Sequence, residues 1–96
     1  MSAEVAERIR ATLCSAFPVE RIEVGDDSAL HAGHAGARDG GGHYRLTLVS
    51  AAFEGHGTVA RHRMIYQALG GMMKKDIHAL AIHAFSATEA AKHSTP

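Results

Sequence analysis

The chain has 96 residues, ten basic and ten acidic, so its formal net charge is zero with histidine neutral. That balance excludes a general electrostatic bias toward nucleic acid or an anionic membrane. The length leaves room for one hydrophobic core and one domain. A hydrophobic content of 46% is enough for such a core. Eight histidines are the compositional oddity, and they make the charge sensitive to pH near neutrality. The lone cysteine, Cys14, has no internal disulfide partner and suits a reducing compartment. No apolar run approaches the roughly 20 residues of a membrane span. The first residues are acidic and carry no hydrophobic signal core, so a cytoplasmic chain without a membrane partner is expected.

Residues 2–17 read as a helix. Val5, Ile9 and Leu13, with Ala6 and Ala16, recur at three- and four-residue steps and form one apolar face. Pro18 stops it. Cys14 falls at the edge of the apolar stripe and reads as a small, half-buried side chain. Residues 21–25 alternate around Ile22 and Val24 and predict a short strand. The stretch 27–42 is a long loop without period, holding five glycines and two histidines, His31 and His34. Loops of that length in compact domains are usually functional or disordered. From His43 to Ser50 the alternation is clean, with Tyr44, Leu46 and Leu48 on one face. The two strands form an antiparallel hairpin.

Phe53 anchors the turn that follows. Thr58 is the expected N-cap of a helix from about Val59 to Met73, with Ile65, Ala68, Leu69 and Met72 on its buried face. Gly70-Gly71 is placed to end or kink that helix early. The stretch from Ile77 to Ala84 is the third strand. Its His78 shares parity with Leu80 and Ile82 and is expected on their apolar face. Ser86-Ala-Thr-Glu89 matches a capping box for a short last helix, and the tail over residues 92–96 is expected to fray. The order α-β-β-α-β-α predicts an α+β fold, a three-stranded mixed sheet packed against helices.

Neutral imidazole is a good ligand for zinc, iron or copper. No Cys-x-x-Cys and no helical His-x-x-x-His is present, so the histidines make at most a partial coordination sphere. His56, His83 and His93 read as surface residues, His43 as part of the polar face of its strand, and His62 as local packing at a helix start. On chemistry alone, His78 is a core-edge histidine ahead of a ligand. Arg61 and Arg63, with Lys74 and Lys75, are candidates for phosphate contact, although the commoner role of such residues is a solvated helix face. Arg61 and Arg63 are about 200° apart on a helix and form no single stripe. Gly33-His-Ala-Gly36 spells Gly-x-x-Gly, but between strands instead of between helices. Ser28 with Asp26 or Asp27 and a histidine makes no nucleophile elbow, so catalysis is not expected.

Phe53-Glu54-Gly55, then Arg61-His62-Arg63 with Ile65-Tyr66 and Leu69, then Ile77-His78-Ala79-Leu80, together resemble the signature of the BolA family. Asp27-Ser28 followed by the histidine loop and His43-Tyr44-Arg45 resembles its hairpin. The likeness covers about residues 5–90. It implies a class II KH-like fold and a monothiol glutaredoxin partner. It also implies a 2Fe–2S cluster shared with glutaredoxin and glutathione, and none held by the isolated chain. In that arrangement His78 is one ligand. Matching Asp27-Ser28-Ala29-Leu30-His31 to the family's loop points to His31 as the other, with His34 of the repeated His-Ala-Gly as the alternate. Two imidazoles on one iron is the Rieske pattern, which raises reduction potential. The resemblance thus implies an adaptor for iron–sulfur trafficking or iron and redox sensing. The apo form would be a monomer or weak homodimer. The second implied role is a DNA-binding transcriptional regulator using Arg61, His62 and Arg63, with Lys74 and Lys75 as further contacts.

Overall fold

The structure is a computed structural model that describes residues 2–27 and 42–93. The loop histidines His31 and His34, the Gly33–Gly36 segment, the end of the tail and the His93 side chain lie outside the described residues. The chain runs α1 (Ser2–Ala16), β1 (Val19–Asp26), β2 (Gly42–Ser50), a 3-10 turn (Ala51–Phe53), α2 (Thr58–Leu69), α3 (Met72–Lys75), β3 (Ile77–Phe85) and α4 (Ala87–His93). β2 is the central strand, antiparallel to β1 and parallel to β3. The result is the α+β arrangement with a three-stranded mixed sheet that the element order predicts.

The apolar periodicities become one core. Ile9 and Leu13 of α1, Leu46 and Leu48 of β2, Ile65 of α2 and Phe53 are all fully buried. Tyr44, Leu69, Met72 and Ile77 complete the cluster. Burying an aromatic or aliphatic side chain of this size contributes about 1.5–3 kcal/mol. Phe53 closes the end of the core through Phe17, whose ring centroid lies 5.5 Å away. Ser50 is buried beside it, and its Oγ accepts the Ala52 N–H at 3.1 Å, which starts the 3-10 turn.

Four details depart from the sequence reading. Cys14 is exposed, because one step past Leu13 turns a helical side chain about 100° away from the core. The N-cap of α2 is Gly57, not Thr58, and it makes no side-chain cap. The Arg61 N–H already donates to the Gly57 carbonyl at 3.0 Å, so Thr58 stands inside the first turn. The helix expected to run to Met73 breaks at Gly70, whose φ of +55° with ψ of −126° suits only glycine. The chain then restarts as α3.

The fourth concerns His78. Gly42 of β2 pairs with Ile77 of β3, but His43 pairs with Ala79, so β3 takes two steps where β2 takes one. This bulge breaks the alternation. Ile77 enters the core while Leu80, three residues on, also packs against it. His78 is therefore turned away from the Leu80 and Ile82 face and is exposed.

Candidate functional site

The sheet has two faces with different cover. The face bearing Tyr44, Leu46 and Leu48 lies under α1 and α2 in the core. The opposite face carries His43, Arg45, Thr47 and Val49 of β2 beside Ala79, Ala81, His83 and Phe85 of β3. Only one end of that second face is closed among the described residues. Ala87, Ala90 and Ala91 of α4 line a cleft there with Val49, Glu20 and Arg21, and Val49 is buried. At the other end, where β2 begins, no described element covers the face, and Arg45, His78, Ala79 and Ala81 are exposed.

At the open end two histidines meet. The rings of His43 and His78 have centroids 5.1 Å apart and planes tilted by 46°. They are 35 positions apart in the chain and come together through the parallel β2–β3 ladder and the bulge that swings His78 outward. His43 had only a strand-surface role on sequence grounds. The signal that could have found it is its position as the first alternating residue of β2, level with the start of β3.

Hydrogen bonds tie down the backbone around the pair. Asp27 N–H donates to the His43 carbonyl at 2.7 Å, and Gly42 N–H donates to the Asp76 carbonyl at 3.1 Å. Residues 27 and 42 are the two stems of the histidine loop, so both stems are pinned at the His43–His78 corner. The Asp27 carboxylate also accepts from Arg45 Nη2 at 3.1 Å and Nε at 3.2 Å. That hydrogen bond, and the charge behind it, raise the Arg45 guanidinium above its ordinary range. Gly25 across the strand gives the guanidinium its seat, because a Cβ there would stand 2.6 Å from Nη2.

At the closed end lies Arg61. Its side chain is 10% exposed and its donors are used inside the fold. Nε donates to the His56 carbonyl at 2.7 Å, Nη1 to the Ala84 carbonyl at 3.0 Å, and Nη1 and Nη2 to the two Glu89 oxygens at 2.5 and 3.2 Å. The guanidinium also lies 5.9 Å from the Phe53 ring centroid. Glu89 in turn accepts the Ser86 N–H at 2.8 Å while its own N–H donates to Ser86 Oγ at 3.2 Å, which is the capping box expected from the sequence. Glu54 pins the same helix start by accepting from Thr88 N–H at 3.1 Å and Thr88 Oγ1 at 2.8 Å. Chiefly through the Arg61 bond, Glu89 is held down to about 2. Arg61 is thus a strut between α2, β3 and α4, with its guanidinium engaged inside the fold.

The rest of the basic set divides differently. Arg63, Lys74 and Lys75 are exposed and His62 is half-buried, its ring edge-on to Tyr66 at 6.4 Å. His62 also lines a cleft with Thr58, Arg61 and residues 82–85 of β3. His56 and His83 are exposed, as expected. Among the described residues no group of three or more His, Cys, Asp or Glu side chains could hold a metal ion, and no helix is long and apolar enough to cross a membrane.

Comparison with known proteins adds a third line. Residues 13–89 match the family model described as BolA-like protein. The chain is 42% identical over 87 residues to SufE-like protein 1, chloroplastic/mitochondrial, of Arabidopsis thaliana, covering 85% of this chain and 24% of that protein. It therefore spans about a quarter of that relative's length. It is 38% identical over 85 residues to the DNA-binding transcriptional regulator BolA of Escherichia coli (strain K12), covering 88% of this chain and 78% of the relative. Among solved structures, the BolA domain of SufE1 from Arabidopsis thaliana superimposes with a TM-score of 0.76 at 40% identity, over 88% of this chain and 93% of that one. With motif, topology and relatives in agreement, the chain belongs to the BolA-like family.

Proposed function

We propose that this chain is an adaptor that binds a monothiol glutaredoxin and co-ligates a shared 2Fe–2S cluster, for iron–sulfur trafficking or for sensing iron and redox status. His78 supplies one imidazole. His31 of the loop supplies the second, with His34 as its alternate. One observation carries the reading: His78 is exposed at the corner where both stems of the histidine loop are pinned. The 14 residues from 28 to 41, held at both ends beside His78, have the reach to bring an imidazole of their own to the same metal.

The donor set suits a cluster that is shared. Among the described residues there are imidazoles at one corner but no group of three or more ligands, which suits a cluster whose other ligands come from the histidine loop and from a partner. Glutathione and a glutaredoxin cysteine are thiolate sources of the right softness. When bound, such a cluster supplies one-electron chemistry, and imidazole in place of thiolate raises its potential. The residues of this chain hold and orient. The sheet fixes His78, the Asp27–Arg45 pair fixes the loop stem, and the ring of His43 stands against that of His78.

The test is reconstitution of the chain with a monothiol glutaredoxin, glutathione, iron and sulfide, read by visible absorption and circular dichroism. His78→Ala and His31→Ala are expected to change or abolish the spectrum of the heterocomplex. A spectrum unaltered in both variants would show that the cluster is ligated elsewhere.

A second reading, DNA binding, follows from the likeness to the Escherichia coli DNA-binding transcriptional regulator and from the exposed Arg63, Lys74 and Lys75. With Arg61 engaged internally and a net charge of zero, its electrostatic component is small. Titration of labelled duplex at physiological salt tests it. A Kd no tighter than about 10⁻⁴–10⁻⁶ M is ordinary non-specific binding and ends that reading.

A further inference from the structure

We propose that two copies of this chain pair through the outer edge of β3, antiparallel about a two-fold axis at Ala81, and join their sheets into one. The pairing needs neither metal nor glutaredoxin, so it does not rest on the cluster reading.

β3 ends the sheet on one side, and the ladder fixes which of its peptide groups face out. The His43 carbonyl takes the Asp27 N–H on the β1 side, whereas the Gly42 N–H turns to the Asp76 carbonyl at the start of β3. Peptide groups alternate along a strand, so Tyr44 and Leu46 follow Gly42 and bond toward β3. In parallel pairing they are met by Ala79, Ala81 and His83, one step to either side of the paired Leu80 and Ile82. The N–H and C=O groups of Leu80, Ile82 and Ala84 therefore point outward. The Ala84 carbonyl agrees, since it accepts from Arg61 Nη1 outside the ladder. No described residue pairs with the outward groups of Leu80 and Ile82.

The two edges of the sheet are built differently. β1 carries Glu20, Arg21, Glu23 and Asp26, and its register shifts between Val19 and Arg21. Charges and irregularities of this kind keep a strand edge from pairing. β3 reads Ile-His-Ala-Leu-Ala-Ile-His-Ala-Phe, nine residues without an acidic side chain, lysine, arginine or proline. Such an edge is a template for another strand, and its own copy, equally free of fixed charge, meets it without stranding an ion.

The copy also fits in register. With Leu80 of each chain opposite Ile82 of the other, each pair exchanges both of its N–H···O bonds and every free outward group is used. Ala81 then faces Ala81 in the close, non-hydrogen-bonded position, where a small side chain is needed. A two-fold contact of this kind is isologous, the commonest way for copies of a chain to associate.

The helix above the edge points to the same partner. Val59 is 68% exposed and Tyr66 41%, the exposed large hydrophobic side chains among the described residues. With His62 they fall within about 60° of arc on α2. Thr58 and His62 line a cleft with residues 82–85 of β3, so this flank of α2 is the one over the outer edge. The two-fold axis sets the two α2 helices side by side on one face, these flanks toward each other, and the pairing covers both side chains.

Sedimentation equilibrium of the isolated chain, with reductant present because Cys14 is exposed, measures the association. A reversible monomer–dimer equilibrium is expected, and the Ile82 amide should gain protection from hydrogen exchange as protein concentration rises. Ala81→Lys sets like charges across the axis and should weaken dimerisation by about tenfold or more. Tyr66→Glu should weaken it less, and Ser15→Lys, on exposed α1, should dimerise as the parent does. In a Cys14→Ser background, Ala81→Cys should cross-link on mild oxidation, its Cα about 4.5 Å from its counterpart, whereas Ala79→Cys should not. Both alanines are exposed, and the amide spectrum of each variant checks the fold. A chain that stays monomeric at every concentration, a dimer that Ala81→Lys leaves intact, or Ala79→Cys cross-linking as readily as Ala81→Cys would overturn the proposal. Each of these results leaves the cluster reading standing, since that is read only with glutaredoxin added.

Discussion

The two ends of the sheet use their polar side chains in opposite ways. At the end capped by α4, Arg61, Glu89, Ser86 and Glu54 satisfy one another and the neighbouring backbone, and the arginine is buried. At the end where β2 begins, two histidines and an exposed ion pair face outward. The difference separates structure from chemistry. The arginine of the most motif-like segment holds the fold together, while the groups suited to ligation sit where the strand register slips.

That contrast can be broken or sharpened by substitution. The largest effect on stability is expected from Arg61→Ala, which strips donors from two backbone carbonyls and from Glu89. Hydrogen bonds from a buried charged group are worth more than neutral ones, so a loss of about 3 kcal/mol is expected in urea denaturation. A loss of a few tenths would erase the distinction between the two ends. Ser86→Ala removes one half of the capping box and should cost about 1 kcal/mol.

Acid probes the same end. Glu89 is lowered from 4.5 to about 2, first by its bond to Arg61 and then by the Ser86 N–H. A carboxylate depressed by folding adds stability that is fully present above its unfolded value and is lost as pH falls through its folded one. The denaturation midpoint should therefore decline across the window from about 4.5 down toward 2, and this decline should be shallower in Arg61→Ala. The smallest effect belongs to the open end. Arg45→Ala breaks an ion pair whose arginine is largely exposed, and it should leave the midpoint unchanged within error. A shift as large as that of Arg61→Ala would mean that the open corner supports the fold as strongly as the closed one does.

Much of the fold was legible because its signals are local. The alternation of Tyr44, Leu46 and Leu48 identified the central strand, and all three are buried. The stripe of Val5, Ile9 and Leu13 identified α1, and Ser86 with Glu89 announced the start of α4. The candidate site was legible only in part. His78 was singled out by family likeness, but its direction was misread. Parity assumes a regular ladder, and the bulge opposite Gly42 and His43 is a property of the pairing, not of β3 alone. His43 was passed over for a related reason. A residue on a polar strand face gains a role only from what the neighbouring strand brings beside it.

Arg61 shows the same limit from the opposite direction. Read along the chain it is a cation near a helix start. Its partners at His56, Ala84 and Glu89 come from three other segments, and only their convergence turns it inward.

The amino-acid order by itself determined which segments form helices and strands and the apolar faces of α1, β2 and α2, because side-chain periodicity acts within a few residues. Tertiary structure alone decided that His43 meets His78 at an open corner and that Arg61 is enclosed. Both outcomes depend on strand register and helix docking, in which residues far apart along the chain compete for the same space and the same hydrogen bonds.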